Sequence, residues 1–205
     1  AAQEKARVEL SSNSALALEW AQKAVAAEKG NFTGRRLNLL GRIQVAQGDL
    51  TAADDTLKKA LDANRSNELR EEEANSLRML GIVARKQHRF VDAERLLTEA
   101  LELDKLLGVS VKIGTDLEEL ALTARDAGKP EKAADYLGRA CDVHLNGGRP
   151  GQAGADMTAL ADLYGQLGDS RKAEAARRRA REITAGQTSQ KPGRSVETTN
   201  PSSSP

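Results

Sequence analysis

The chain has 205 residues, 39% hydrophobic and only 2% aromatic, and its 31 basic and 30 acidic side chains leave a formal net charge of +1. Ala, Leu, Arg, Glu and Lys dominate, which favours one sizeable domain of closely packed helices over sheets, and the charge balance excludes a whole-molecule field that would steer it to nucleic acid or acidic membranes. A lone cysteine, Cys141, excludes an intrachain disulfide and a multi-cysteine metal site, and no apolar run approaches the ~18 residues of a membrane span.

Residues 1–10 have helical composition, and Ser11-Ser12-Asn13-Ser14 reads as a turn with a helix cap. Ala15 to Lys29 places Ala17, Ala21, Ala24 and Val25 on one face and ends at Gly30-Asn31-Phe32-Thr33-Gly34, so residues 1–34 form a degenerate helix pair. A unit at 35–66 turns at Gln47-Gly48-Asp49, where Asp49 can cap the next helix. After a break at Asn64-Arg65-Ser66-Asn67, the unit 67–108 turns at Gln87-His88-Arg89 without glycine. The unit 109–148 turns at Gly128-Lys129-Pro130, with Pro130 suited to a helix start. A hard break at Asn146-Gly147-Gly148-Arg149-Pro150-Gly151 precedes the unit 149–183, with helices near 152–167 and 170–183. Residues 184–205 are almost devoid of apolar side chains and are expected to be disordered.

One spacing organises these units. Leu40-Gly41, Leu80-Gly81, Leu120-Ala121 and Leu160-Ala161 recur every 40 residues, followed by Ala53, Ala93, Ala133 and Ala173 and then by Ala60, Ala100, Ala140 and Ala180. Such a period marks stacked units, in which small residues let helices cross closely. Leu57, Leu97 and Leu137 supply volume between the alanines, and Arg177 takes that place in the last unit. A polar outer face is what a terminal repeat needs, so the array is expected to end near Ile183 and Trp20 to cover its N-terminal end.

The pattern Leu-x2-Leu-Gly/Ala, then Ala, Leu and Ala, resembles the tetratricopeptide repeat family over about residues 15–183. Most of the family's aromatic positions are replaced here, with Tyr164 an exception, and its closing proline is absent. The period exceeds the family's usual length of about 34 residues and touches that of HEAT and armadillo repeats, but the small-residue ladder fits the tetratricopeptide type better. The resemblance implies an all-α fold, a right-handed α-solenoid of stacked antiparallel helix pairs. It also implies that the first helix of each pair lines a concave face that holds a peptide or helix of another protein.

Carried onto this chain, the partner-binding positions are Arg35, Asn38 and Arg42, then Asn75, Arg78, Met79, Ile82 and Arg85, then Glu118, Glu119 and Leu122. They describe a groove that is basic in its N-terminal half, with an apolar floor and an acidic end. That matches a peptide with an acidic part over the second and third units. Gripping a C-terminal carboxylate, as chaperone-binding relatives do, is rejected, because Glu119 would repel it.

No catalytic, metal or cofactor constellation is read from the residues. His88 falls in a turn and His144 near a helix end, each read as structural or solvated. Asp54-Asp55 and Glu71-Glu72-Glu73 read as acids favouring helix N-termini, Cys141 as a small buried residue, and Gly147 to Gly151 as a linker. Asn31-Phe32-Thr33 is a formal glycosylation sequon. The expected function is a non-enzymatic scaffold or adaptor for a protein segment; the alternative is the repeat domain of a larger signalling or cell-envelope assembly protein. A start at Ala1-Ala2 fits either a trimmed chain or an exported one that has lost its signal sequence.

Overall fold

Good helix formers, interrupted at even intervals by turn residues, give nine helices among the residues that a computed structural model describes, namely Ala2, Gln3, Lys5, 14–27 and 33–189. They are α1 (Ser14–Ala26), α2 (Thr33–Gln47), α3 (Leu50–Ser66), α4 (Arg70–Lys86), α5 (Phe90–Leu106), α6 (Ser110–Asp126), α7 (Pro130–Asn146), α8 (Pro150–Gln166) and α9 (Ser170–Ser189). Each helix packs on its chain neighbour, and α2, α4 and α6 also touch in succession. The first helices of the pairs thus line one face of an all-α tetratricopeptide-type solenoid. The cap at Ser11 to Asn13, the linker 28–32 with its sequon asparagine and the segment 190–205 lie outside the described residues.

The long period is distributed evenly. The helices α3 to α8 each have 17 residues, and every turn places a residue of positive φ 20 positions after the last. These are Gly48, Glu68, His88, Gly108, Gly128, Gly148 and Gly168. In each, the next residue's N–H reaches back five positions, as from Asp49 to Gln44 and from Leu69 to Asn64, which satisfies the helix end. Glycine suits this conformation, but Glu68 adopts it at φ 55°. Replacing Glu68 with glycine is expected to stabilise the protein by about 0.5–1 kcal/mol, read as a raised thermal midpoint. A lowered midpoint would show that Glu68 contributes more than its strain costs.

The ladder residues form the core. Ala53, Ala93, Ala133 and Ala173 are at most 1% exposed, and Leu57 and Leu97 are fully buried. A Cβ on Gly41 would come within 2.5 Å of Leu57 Cγ, and one on Gly81 within 2.6 Å of Leu97 Cγ. In the next unit Ala121 replaces glycine, and its partner Leu137 is only partly buried. Trp20 packs at the N-terminal end on Leu39, Leu40, Ile43 and their neighbours, with the Lys23 ammonium 4.8 Å from its ring centre. At the other end Arg177 is exposed.

Several local expectations are corrected. Asn64 to Ser66 continue α3 because the Asn64 side chain bonds into the core instead of breaking the helix. The stretch around Gly148 is a three-residue turn, with Pro150 opening α8 as Pro130 opens α7. Asp54 lies beyond the first turn of α3, paired with Arg89 and Lys58, while Asp49 caps that helix by accepting from Ala52 N–H. The last helix runs past Ile183 to Ser189. Thr184 packs its methyl toward Gly154 and bonds Ala180 O, and no proline interrupts propagation before Pro192.

Candidate functional site

The face lined by α2, α4 and α6 carries a cleft of about 340 Å³. Of the eleven positions expected to bind a partner, Arg35, Asn38, Arg42, Asn75, Arg78, Met79 and Ile82 line it, together with Leu39, Glu72 and Thr115. Leu122 instead lines a second cleft of about 220 Å³, with Ala121, Leu137 and Asp162 among its other walls. Met79 and Ile82 are partly buried, so their remaining surface forms the floor of the first cleft.

The arginines are less free than their sequence suggests, because the following first helix supplies carboxylates to them. Arg35 donates to Glu72 at 2.7 Å. Arg85 donates to Glu119 at 3.1 Å and to Asp126 at 3.0 Å. Arg78 is only 9% exposed and is held by Asp104 and Asp116. Among the expected groove arginines, Arg42 is the exposed one with no ion pair among the described residues. Glu72 gathers Arg35, Asn38 and Asn75; burial would raise its carboxyl, but those hydrogen bonds outweigh it and hold it below the usual carboxylate range. The asparagines are therefore committed inside the protein.

Three polar junctions recur at one register of the stacked helices. Each joins a residue of a first helix (38, 78, 118), one of the second helix (64, 104, 144) and one of the following first helix (76, 116, 156). At the first junction the Ser76 hydroxyl accepts from Asn64 at 3.0 Å and donates to Asn38 at 2.7 Å. At the second, the Arg78 guanidinium joins Asp104 and Asp116, both fully buried. Burial pushes Asp116 up to about 7; Arg78 pulls the other way, and the Asp104 charge adds to the rise. At the third, His144 Nδ1 lies 2.7 Å from Asp156 and 4.0 Å from Glu118. Burial first, and the Asp156 carboxylate second, push Glu118 up to about 7. Space for these groups is periodic too, since a Cβ on Gly34 would strike Asn64 and one on Gly114 would strike His144.

Sequence reasoning missed these junctions, reading His144 as structural or solvated without naming what it would meet. The signal was present: residues 64, 104 and 144 follow Ala60, Ala100 and Ala140 by four, which puts polar side chains on the buried face of every second helix. Cys141 is 3% exposed, and burial, with the Asp156 and Asp142 charges, pushes its thiol up to about 11. It stays a neutral thiol near pH 7.

Comparison with known proteins agrees with this architecture. The family model for the tetratricopeptide repeat matches residues 36–105 and 72–146, together more than half of the chain. The chain belongs to the tetratricopeptide repeat family. Among solved structures, BtubC (BKLC) from P. vanneervenii is similar over 97% of this chain and 85% of its own, at 21% identity and a TM-score of 0.76. A Rap protein complexed with competence and sporulation factor gives a TM-score of 0.78 at 17% identity, covering 90% of this chain and 53% of its own. The Rap conjugation gene regulator of plasmid pLS20, in complex with the Phr* peptide, gives 0.72 at 16% identity, covering 91% and 53%. This chain thus spans about half the length of these two Rap proteins. No curated protein matches it.

Proposed function

We propose that the protein is a non-enzymatic interaction scaffold that holds a peptide or helix of a partner protein along α2, α4 and α6. The observation that carries this is the cleft of about 340 Å³ lined by side chains of these three first helices. Its Met79 and Ile82 floor suits an apolar anchor, and the exposed Arg42 suits a carboxylate beside it. The complex of the pLS20 Rap regulator with a peptide supports the reading by likeness of fold. Arg35, Arg78 and Arg85 hold the protein's own carboxylates, so a partner's acidic part is limited to the neighbourhood of Arg42.

The test is affinity capture with the intact chain and with Arg42→Glu and Ile82→Glu, two positions outside the buried junctions. A partner enriched by the wild type is expected to fall by about 10-fold or more with either variant, the size of one lost anchor, while circular dichroism stays unchanged. Equal capture by both folded variants would overturn the assignment of the groove.

A further inference from the structure

The third junction differs from the second in a way that bears on its chemistry. Where Arg78 brings a cation to Asp104 and Asp116, the chain has Glu118, while His144 replaces Asp104 and Asp156 repeats Asp116. Two carboxylates and an imidazole therefore converge at a place where the preceding unit holds a guanidinium. The side chains of His144 and Asp156 are each only 3% exposed, and that of Glu118 is 38% exposed. One ligand atom from each of the three lies within 4.8 Å of the others. The Nε2 edge of the His144 ring faces Gly114, which lacks the Cβ that would strike it. Nδ1 is thereby the edge turned toward both carboxylates.

We propose that this junction is a binding site for a divalent cation of the zinc class, with His144 Nδ1, Asp156 and Glu118 as its ligands. Zinc bonds imidazole nitrogen and carboxylate oxygen at about 2.0–2.2 Å, which places tetrahedral ligand atoms roughly 3.3–3.6 Å apart. The observed 2.7 Å and 4.0 Å from Nδ1 to the two carboxylates bracket that separation, so small rotations of Glu118 and Asp156 suffice. The imidazole selects zinc over magnesium or calcium, which prefer oxygen ligands alone. Glu118 is the most exposed of the three, so its side of the site is where a water completes the shell. The ion would join α6, α7 and α8 as Arg78 joins α4, α5 and α6.

The test is calorimetric titration of the full chain, stripped with a chelator, using zinc chloride, with magnesium chloride as the control. One equivalent of zinc is expected to bind and to raise the thermal midpoint. Cobalt substitution should give the visible absorption of a low-symmetry nitrogen–oxygen site. The decisive variant is Glu118→Arg with His144→Asp, which rebuilds the Arg78, Asp104 and Asp116 junction and should fold in chelator while losing zinc affinity by more than about 100-fold, beyond the 10–100-fold typical of outer-shell changes. His144→Asn, which copies Asn64, provides the same test if the double variant is unstable. No zinc uptake by the wild type, or equal uptake by the folded variants, would overturn the proposal, the latter marking an adventitious site elsewhere.

Discussion

Replacing Arg78 with leucine is expected to destabilise the protein by about 3–5 kcal/mol, because two buried carboxylates would lose the cation between them. Asp104 and Asp116 are fully buried, and Arg78 reaches Asp116 at 2.5 Å through Nε and Asp104 through Nη2. In a chain of this size the loss corresponds to a drop in thermal midpoint on the order of 10 °C. Its pH dependence has a definite sign. Burial already holds both carboxyls above the ordinary value, Asp116 at about 7. A carboxyl whose folded pKa is raised binds its proton more tightly in the folded state, so its stabilising contribution is full at low pH and is lost as pH rises through the folded value. Without Arg78 the variant should be nearer to wild type at about pH 5 than at about pH 8. A triple change of Arg78→Asn, Asp104→Asn and Asp116→Ser copies the neutral first junction and should recover most of the loss. A single variant within about 1 kcal/mol of wild type at both pH values would show that Arg78 does not hold the aspartates.

The second large effect lies where the helices of the third unit cross. Leu97 is fully buried beside Gly81, and Leu97→Ala is expected to cost about 2–5 kcal/mol through lost burial and the cavity left behind. Gly81→Ala alone should also destabilise, by about 1–3 kcal/mol, since its Cβ would meet Leu97 at 2.6 Å. The two substitutions are complementary in volume. Combined, they should cost clearly less than their sum, a coupling readable in a double-mutant cycle by chemical denaturation. Strict additivity would mean that the two residues do not share one space. The partly buried Leu137 beside Ala121 is the chain's own example of the displaced arrangement.

The fold was legible because its main cause is repetitive. Small residues at 41, 53 and 60 and their equivalents each report the same close crossing, so every copy confirms the others. The turn at 88 was placed without a glycine to mark it, but the break expected at 64–67 falls short of Glu68, where glutamate stands in place of a glycine that would announce the left-handed residue. Seven of the eleven positions read from the sequence line one cleft, but the charge they present was not legible. Arg35 meets Glu72 37 residues later, and Arg85 meets Asp126 41 residues later, pairings that cross from one unit to the next. The polar junctions stayed hidden for a related reason. Each gathers three residues from three helices, and the chemistry changes from amide and hydroxyl, to guanidinium and carboxylate, to imidazole and carboxylate. A search for identical residues at the repeat interval passes over them; a search for polar residues at buried register finds them.

These changes of chemistry restrict which parts of the chain can follow the first junction. Helices of equal length and an unvarying alanine ladder would let any pair stack on any other. Deleting residues 70–109 would even join Leu69 to Ser110 through an unchanged turn. Asn38 and Asn64 would then face Asp116, a buried carboxylate with no cation to meet it, and the shortened array would carry a penalty that its apolar contacts do not see. Slipped pairing of like units is a characteristic misfolding route of repeat proteins. Here the uncharged first junction is unmatched to the aspartate of either later unit, so an assembly that joins them is opposed by a buried charge.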